Sequence, residues 1–176
     1  VTRILVLLLA SLLCLSLAAY FTRTSKPTPN KALMDSAAVV TRRAFDALYA
    51  EKQARGIPVD ESDMTHSGVI GRSNLTAITT TDGSLSAKRV STNPNFAALF
   101  VLYLRRAGVH AGDEVGLMFS SSFPALNIAC LAACEAVGAR VCLMNSVGAS
   151  VYGATDADFT QNLKKELVDY VATKSD

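Results

Sequence analysis

The chain has 176 residues, half of them apolar, with a formal net charge of +2. That length suits one modest domain plus an added segment rather than two full domains. The small charge implies no nucleic-acid partner, because Lys and Arg are scattered apart from Arg42-Arg43, Lys88-Arg89 and Arg105-Arg106, and no aromatic residues alternate with them.

The added segment comes first. Residues 4–21 (ILVLLLASLLCLSLAAYF) carry no charge. At ~1.5 Å per residue this run is long enough to cross a ~30 Å hydrocarbon layer with slight thinning. It predicts a single-pass membrane segment over residues 1–21. The alternative is a cleaved signal peptide, with Arg3 as its basic start and Ser16-Leu17-Ala18 as a small-x-small site, which would leave a secreted product. Arg3 precedes the run while Arg23, Lys26 and Lys31 follow it, so counting charge favours the body of the protein inside. A signal-anchor role places it outside. Leu12-Leu13 before Cys14 argue against lipidation, because small residues belong there.

Residues 22–30 are polar, and Pro27 and Pro29 stiffen them into a linker. From Asn30 to about Arg55, Leu33, Ala37, Val40, Ala44, Ala47 and Leu48 recur at three- and four-residue spacing, predicting an amphipathic helix that Gly56 and Pro58 stop. Residues 57–93 lack strong periodicity and read as loop, with a turn at Asp82-Gly83 and extended chain at Thr79-Thr80-Thr81. Asn93-Pro94 opens a helix whose run FAALFVLYL is apolar on every side, so it should cover the sheet and bury Phe96, Leu99 and Phe100. Arg105 and Arg106 suit its carboxyl end, and Gly108 suits the position just beyond.

EVGLMF (114–119) reads as a central parallel strand, 124–137 as a helix ended by Gly138, and RVCLMN (140–145) as a second strand. Strand, tight turn, helix, glycine, strand is the pattern of a right-handed βαβ unit. The predicted fold is therefore α/β, a small parallel βαβ sheet covered by helices and left with an exposed edge, preceded by the transmembrane and amphipathic helices.

Ligands of parallel α/β sheets bind beyond the carboxyl ends of the strands. Here that edge collects Ser120, Ser121 and Ser122 after the first strand, Asn127 in the first turn of the helix, and Ser146, Gly148 and Ser150 after the second strand. Helix N–H groups add positive potential, so these residues are candidates for an anion or carboxylate pocket; the alternative is that the serines merely cap backbone groups. Lys88 and Arg89 precede the Asn93 cap closely enough to converge with it on one anion, or else form a solvated charge pair.

Known catalytic patterns do not occur. Ser150 lacks the second glycine of a nucleophile elbow, and His66 and His110 alone offer bases for a triad. Neither GxxxxGK[ST] nor GxGxxG is present, and the cysteines show no metal-ligand spacing, so the sequence calls for no cofactor and no metal. Cys130, Cys134 and Cys142 read as small buried hydrophobes.

The stretches TTTDGSLSAKRVSTNPNFAAL, GDEVGLMFSSSFPALNIACLAACEAVGA and SVGASVYGATDADFT resemble the bacterial poly-gamma-glutamate system proteins. The similarity runs over about 31–160, and AKRVSTNPNFAAL and SFPALNIA are its most specific words. Where that family has Ser-Gly-Ser before Phe-Pro, this chain has Ser120-Ser121-Ser122. Family members continue past the DFT of 158–160, whereas QNLKKELVDYVATKSD follows here, implying a C-terminally truncated member with a divergent helical tail over 161–176. The resemblance implies a membrane-anchored accessory component of poly-gamma-glutamate synthesis or export. Its partners would be the membrane, the synthesis and export proteins and the anionic polymer itself, with the domain on the extracytoplasmic side. Two alternatives stand beside it: a serine-dependent amide hydrolase or acyl transferase using Ser120 to Ser122 on gamma-glutamyl chains, and a structural subunit without a ligand. Residues 104–145 also resemble the opening βαβ of adenylate-forming acyl-CoA synthetases, but the lysine-ended phosphate loop of those enzymes is absent.

Overall fold

The computed structural model describes residues 2–24, 29–156 and 159. Contacts divide the chain after Lys31 into two units. The first contains α1 (Thr2–Thr24), whose side chains from 3 to 22 are all exposed. Its segment Arg3–Thr22 has a mean hydropathy of 2.6 and is long and apolar enough to cross a membrane. The helix runs beyond residue 21 into the expected linker, and residues 25–28 of that linker lie outside the described residues, as does the tail expected over 161–176.

The second unit begins with α2 (Lys31–Ala54), which buries Ala37, Thr41, Phe45, Leu48 and Lys52. This stripe differs from the expected one. Ala47 is exposed, Phe45 is fully buried, and Thr41 enters the core by giving its hydroxyl to the Ala37 carbonyl at 2.9 Å. Beyond α2 the chain is held by Asp63, 3% exposed, which accepts from the Ser67 and Gly68 amides at 3.1 and 2.7 Å and from the Ser67 hydroxyl at 2.8 Å. An irregular segment can be buried only when its backbone donors find partners, and one carboxylate supplies them here.

The expected loop over 57–93 contains two elements. β1 (Thr79–Thr81) falls on the threonine run, and α3 (Leu85–Ser91) follows a Ser84 cap that accepts from the Ala87 amide at 3.4 Å. Seven residues are too few to display a helical period, which is why α3 was not legible. α4 (Asn95–Arg106) starts at the Asn-Pro signal, with Asn93 Oδ1 accepting from the Asn95 amide at 3.0 Å. Its fully buried residues are Ala97 and Val101; Phe96, Leu99 and Phe100 are only partly buried, and Tyr103 is 53% exposed. The reason is its partner. α4 packs chiefly on α5 (Pro124–Val137), whose Ala129, Ala132 and Ala133 allow close approach, so one face of α4 is enclosed rather than all of it. Gly108 and Gly138 adopt φ of +82° and +78° to end these helices, a conformation that residues with a Cβ disfavour.

β2 (Glu114–Phe119) and β3 (Arg140–Asn145) pair in parallel from Glu114↔Arg140 to Phe119↔Asn145, with α5 between them in sequence, as expected of βαβ. Two corrections apply. β2 is not a central strand, because the described sheet has two strands and leaves an outer edge on each. Nor do the described residues cover the sheet on both sides: Val115, Leu117, Phe119, Val141 and Leu143 are half-buried on one face, while Glu114, Gly116, Met118, Arg140, Cys142 and Met144 are exposed on the other. Cys142 is thus not a buried hydrophobe, although Cys134 is. A second, shorter parallel pair joins β1 to β4 (Ala149–Ser150), with Thr79 opposite Ala149 and Thr81 opposite Ser150.

Candidate functional site

The residues after β2 form a tight turn into α5. Pro124 occupies the first turn of that helix, where the missing N–H removes no hydrogen bond. Within the turn the serines point in different directions. Ser121 is 2% exposed, and its hydroxyl donates to the Ser146 carbonyl at 2.8 Å, tying the carboxyl ends of β2 and β3 together. Ser122 Oγ accepts from the Ser150 amide at 3.0 Å. Ser120 is exposed; its carbonyl accepts from Asn127 Nδ2 at 2.7 Å, and its hydroxyl from the Ser122 amide at 3.4 Å.

Lys88 reaches this cluster from α3. It is 3% exposed, and its ammonium donates to the Ser122 carbonyl and to Ser150 Oγ, the latter at 2.7 Å. The Phe123 ring lies beneath it, 3.7 Å from Nζ to centroid. A carbonyl, a hydroxyl and an aromatic face together replace much of the water that a buried ammonium loses. Burial nevertheless holds the Lys88 pKa below the ordinary lysine value.

Backbone packing closes the cluster. A Cβ on Gly153 would lie 2.7 Å from the Ser121 carbonyl oxygen and 2.9 Å from that of Ser150, and one on Gly83 would lie 3.3 Å from Ser150 Oγ. Glycines therefore let the 149–154 segment press onto the serine turn and the 82–84 segment press onto Ser150 and Val151. Ser150 is left 6% exposed.

Of the sequence candidates, the fold brings together Lys88, Ser121, Ser122, Ser146 and Ser150, with Ser120 and Asn127 at the margin of the same turn. It does not unite Lys88 with Arg89. Arg89 leaves α3 on another side, and its Nε donates to the Ser62 carbonyl at 2.9 Å. The expected convergence of both cations on the Asn93 cap is therefore overturned, because successive residues of a helix point about 100° apart. The solvated-pair alternative fails for Lys88 as well, since it is buried. The hydroxyl rim is a cross-braced knot, in which Ser121, Ser122 and Ser150 bond to neighbouring backbone or to Lys88.

No protein-family model, curated protein or solved structure matches the chain.

Sequence reasoning missed a second polar group. Lys52, 4% exposed, meets Asp156 at 3.3 Å, and Arg72 meets the same carboxylate at 3.5 Å. Lys52 and Asp156, with Leu48, Val69, Ile128 and Phe159, line a cavity of about 30 Å³, room for roughly one water molecule. Lys52 lies in the helical period of α2, at +4 from Leu48, so the stripe that the apolar spacing marks continues through it.

Proposed function

We propose that this chain is a membrane-anchored accessory component of poly-gamma-glutamate synthesis or export, held in the cell membrane by a single pass with its α/β unit on the extracytoplasmic side. The observation that carries the anchoring is α1, an apolar helix of spanning length with its side chains exposed from 3 to 22. An exposed apolar surface of that length is stable when lipid covers it. The pathway assignment rests on the sequence words AKRVSTNPNFAAL and SFPALNIA. In this reading the polymer has no preformed pocket at Lys88, whose ammonium is already occupied, so the chain acts by holding other components at the membrane rather than by gripping carboxylates there. The experiment is to delete the gene in its host and measure surface polyglutamate, alongside fractionation of the intact protein and of one lacking residues 1–26. Loss of surface polymer, with the intact protein in membranes and the shortened one soluble, is the expected outcome. Unchanged polymer, or a mature protein beginning near Ala19, overturns the reading.

One observation favours a second reading, a serine-dependent amide hydrolase or acyl transferase. Lys88 Nζ lies 2.7 Å from Ser150 Oγ, which is the spacing of a base and a nucleophile. That reading moves the nucleophile from among Ser120 to Ser122, where the sequence put it, to Ser150, and it requires the 82–84 segment to open. Labelling of Ser150 by a serine-directed acylating probe, abolished in Ser150→Ala, supports it; no labelling of the intact chain overturns it.

A further inference from the structure

Parallel sheets are ordinarily covered on both faces, and the described residues cover only one face of this one. Along its bare face the register places Glu114 beside Arg140, Gly116 beside Cys142 and Met118 beside Met144. Met118 is 82% and Met144 63% exposed, and Glu114 pairs with Arg140 at 3.1 Å. Each row thus joins two unlike or mutually compatible residues: an anion and a cation, a glycine and a small thiol, two flexible thioethers.

That arrangement is self-complementary. If a second copy is turned about a twofold axis running along the strands, β2 of one molecule lies over β3 of the other and each row meets itself reversed. Glu114 then faces Arg140 of the second copy, Cys142 sits over the open backbone at Gly116 of the second copy, and Met118 meets Met144 of the second copy. Every contact occurs twice, as an isologous interface requires. Two short sheets packed face to face accept this alignment within the usual ~30° twist, and methionine adapts to the small misfit.

We propose that the bare face of β2 and β3 is a docking surface for a second copy of this chain. Its size says where the contact forms. Two six-residue strands offer a patch of roughly 20 by 10 Å, a few hundred Å² and well under the ~800 Å² per partner of a stable complex in solution. Association therefore depends on molecules confined to one membrane, where effective concentration is high; to that extent it rests on the anchoring proposed above.

The test uses the full chain with Cys14→Ser, placed in phosphatidylcholine vesicles and treated with a short bis-maleimide, which joins Cys142 to Cys142 of the second copy. A cross-linked dimer is expected at high protein-to-lipid ratio. It disappears in Cys142→Ser, falls at least tenfold in Met118→Asp and in Glu114→Arg, and returns in the double variant Glu114→Arg with Arg140→Glu. All substituted positions on this face are exposed, so the variants should keep the parent's melting temperature, and that is measured beside them. A dimer unchanged in Met118→Asp and Glu114→Arg overturns the proposal. So does a Cys142 thiol that stays unreactive when the vesicles are diluted in lipid, because the face is then covered by something other than a second copy. Flotation of the same vesicles reports anchoring separately: a chain that floats without forming dimers refutes the docking surface alone, and one that does not float refutes both.

Discussion

Lys88 and Ser150, 62 residues apart in the chain, meet at 2.7 Å and join α3 to β4 across the serine turn. Replacing Lys88 by alanine would leave the Ser122 carbonyl and the Ser150 hydroxyl without their donor and open a void over the Phe123 ring. The expected loss is about 2–4 kcal/mol, the range for orphaning buried polar partners and deleting a buried side chain. Lys88→Met keeps most of the volume and removes the buried charge, so it should lose less. Thermal melts of the full chain in mild detergent rank the three proteins, and equal melting temperatures would contradict the brace.

The same lysine gives a pH signature. Its folded-state pKa is lowered by burial, so between that value and the ordinary 10.5 the unfolded chain holds the proton more firmly than the folded one. Stability then rises with pH through this window, since the unfolded state binds more protons there. Other groups titrate in alkali too, so the readout is a difference: wild type minus Lys88→Met should become more favourable from neutral pH toward 10.5. A flat or falling difference would contradict the burial of a charged amine.

Gly153→Ala tests the close approach of the 149–154 segment. The added methyl would meet backbone oxygens at 2.7 and 2.9 Å, which neither segment can relieve by turning a side chain. A destabilisation of about 1–3 kcal/mol is expected from overpacking. Gly116→Ala, where nothing lies within 4 Å, should leave the melting temperature near that of the parent and serves as the comparison.

Asp63→Ala should release the loop after α2 without unfolding the helices. The aspartate carries the Ser67 and Gly68 amides, so hydrogen exchange at those two positions should accelerate at least tenfold while amides of α5 change little. Uniform acceleration across the chain would show instead that the loop and helices open together.

The βαβ unit was legible because its signals are local. Pro124 and Gly138 bracket α5, and two apolar runs flank it. The helical period of α2 was legible too, although Phe45, Thr41 and Lys52 entered its buried stripe and Ala47 did not, because which side of an apolar helix turns inward depends on what packs there. The pairing of β1 with β4 left no trace in sequence: the ladder is two residues long on one side and joins positions about seventy residues apart. The site was half legible. Ser120 to Ser122 stood out at the strand end, but the inward course of Lys88 and the outward course of Arg89 are set by α3, a helix too short to announce itself.

The span between Lys88 and Ser150 also has a meaning in time. A ribosome adding about 5–20 residues per second needs roughly 3–12 s to proceed from one to the other. During that interval α3 is already made and the serine turn follows about halfway through, yet its lysine still lacks β4 to close over it. The contact is 62 residues long in sequence, so it closes only after α4, β2, α5 and β3 have been synthesised between its ends. A nascent chain halted before residue 150 would carry a charged amine with no place to be buried, and capture of such stalled chains would find Lys88 open to acylating reagents that the finished protein resists.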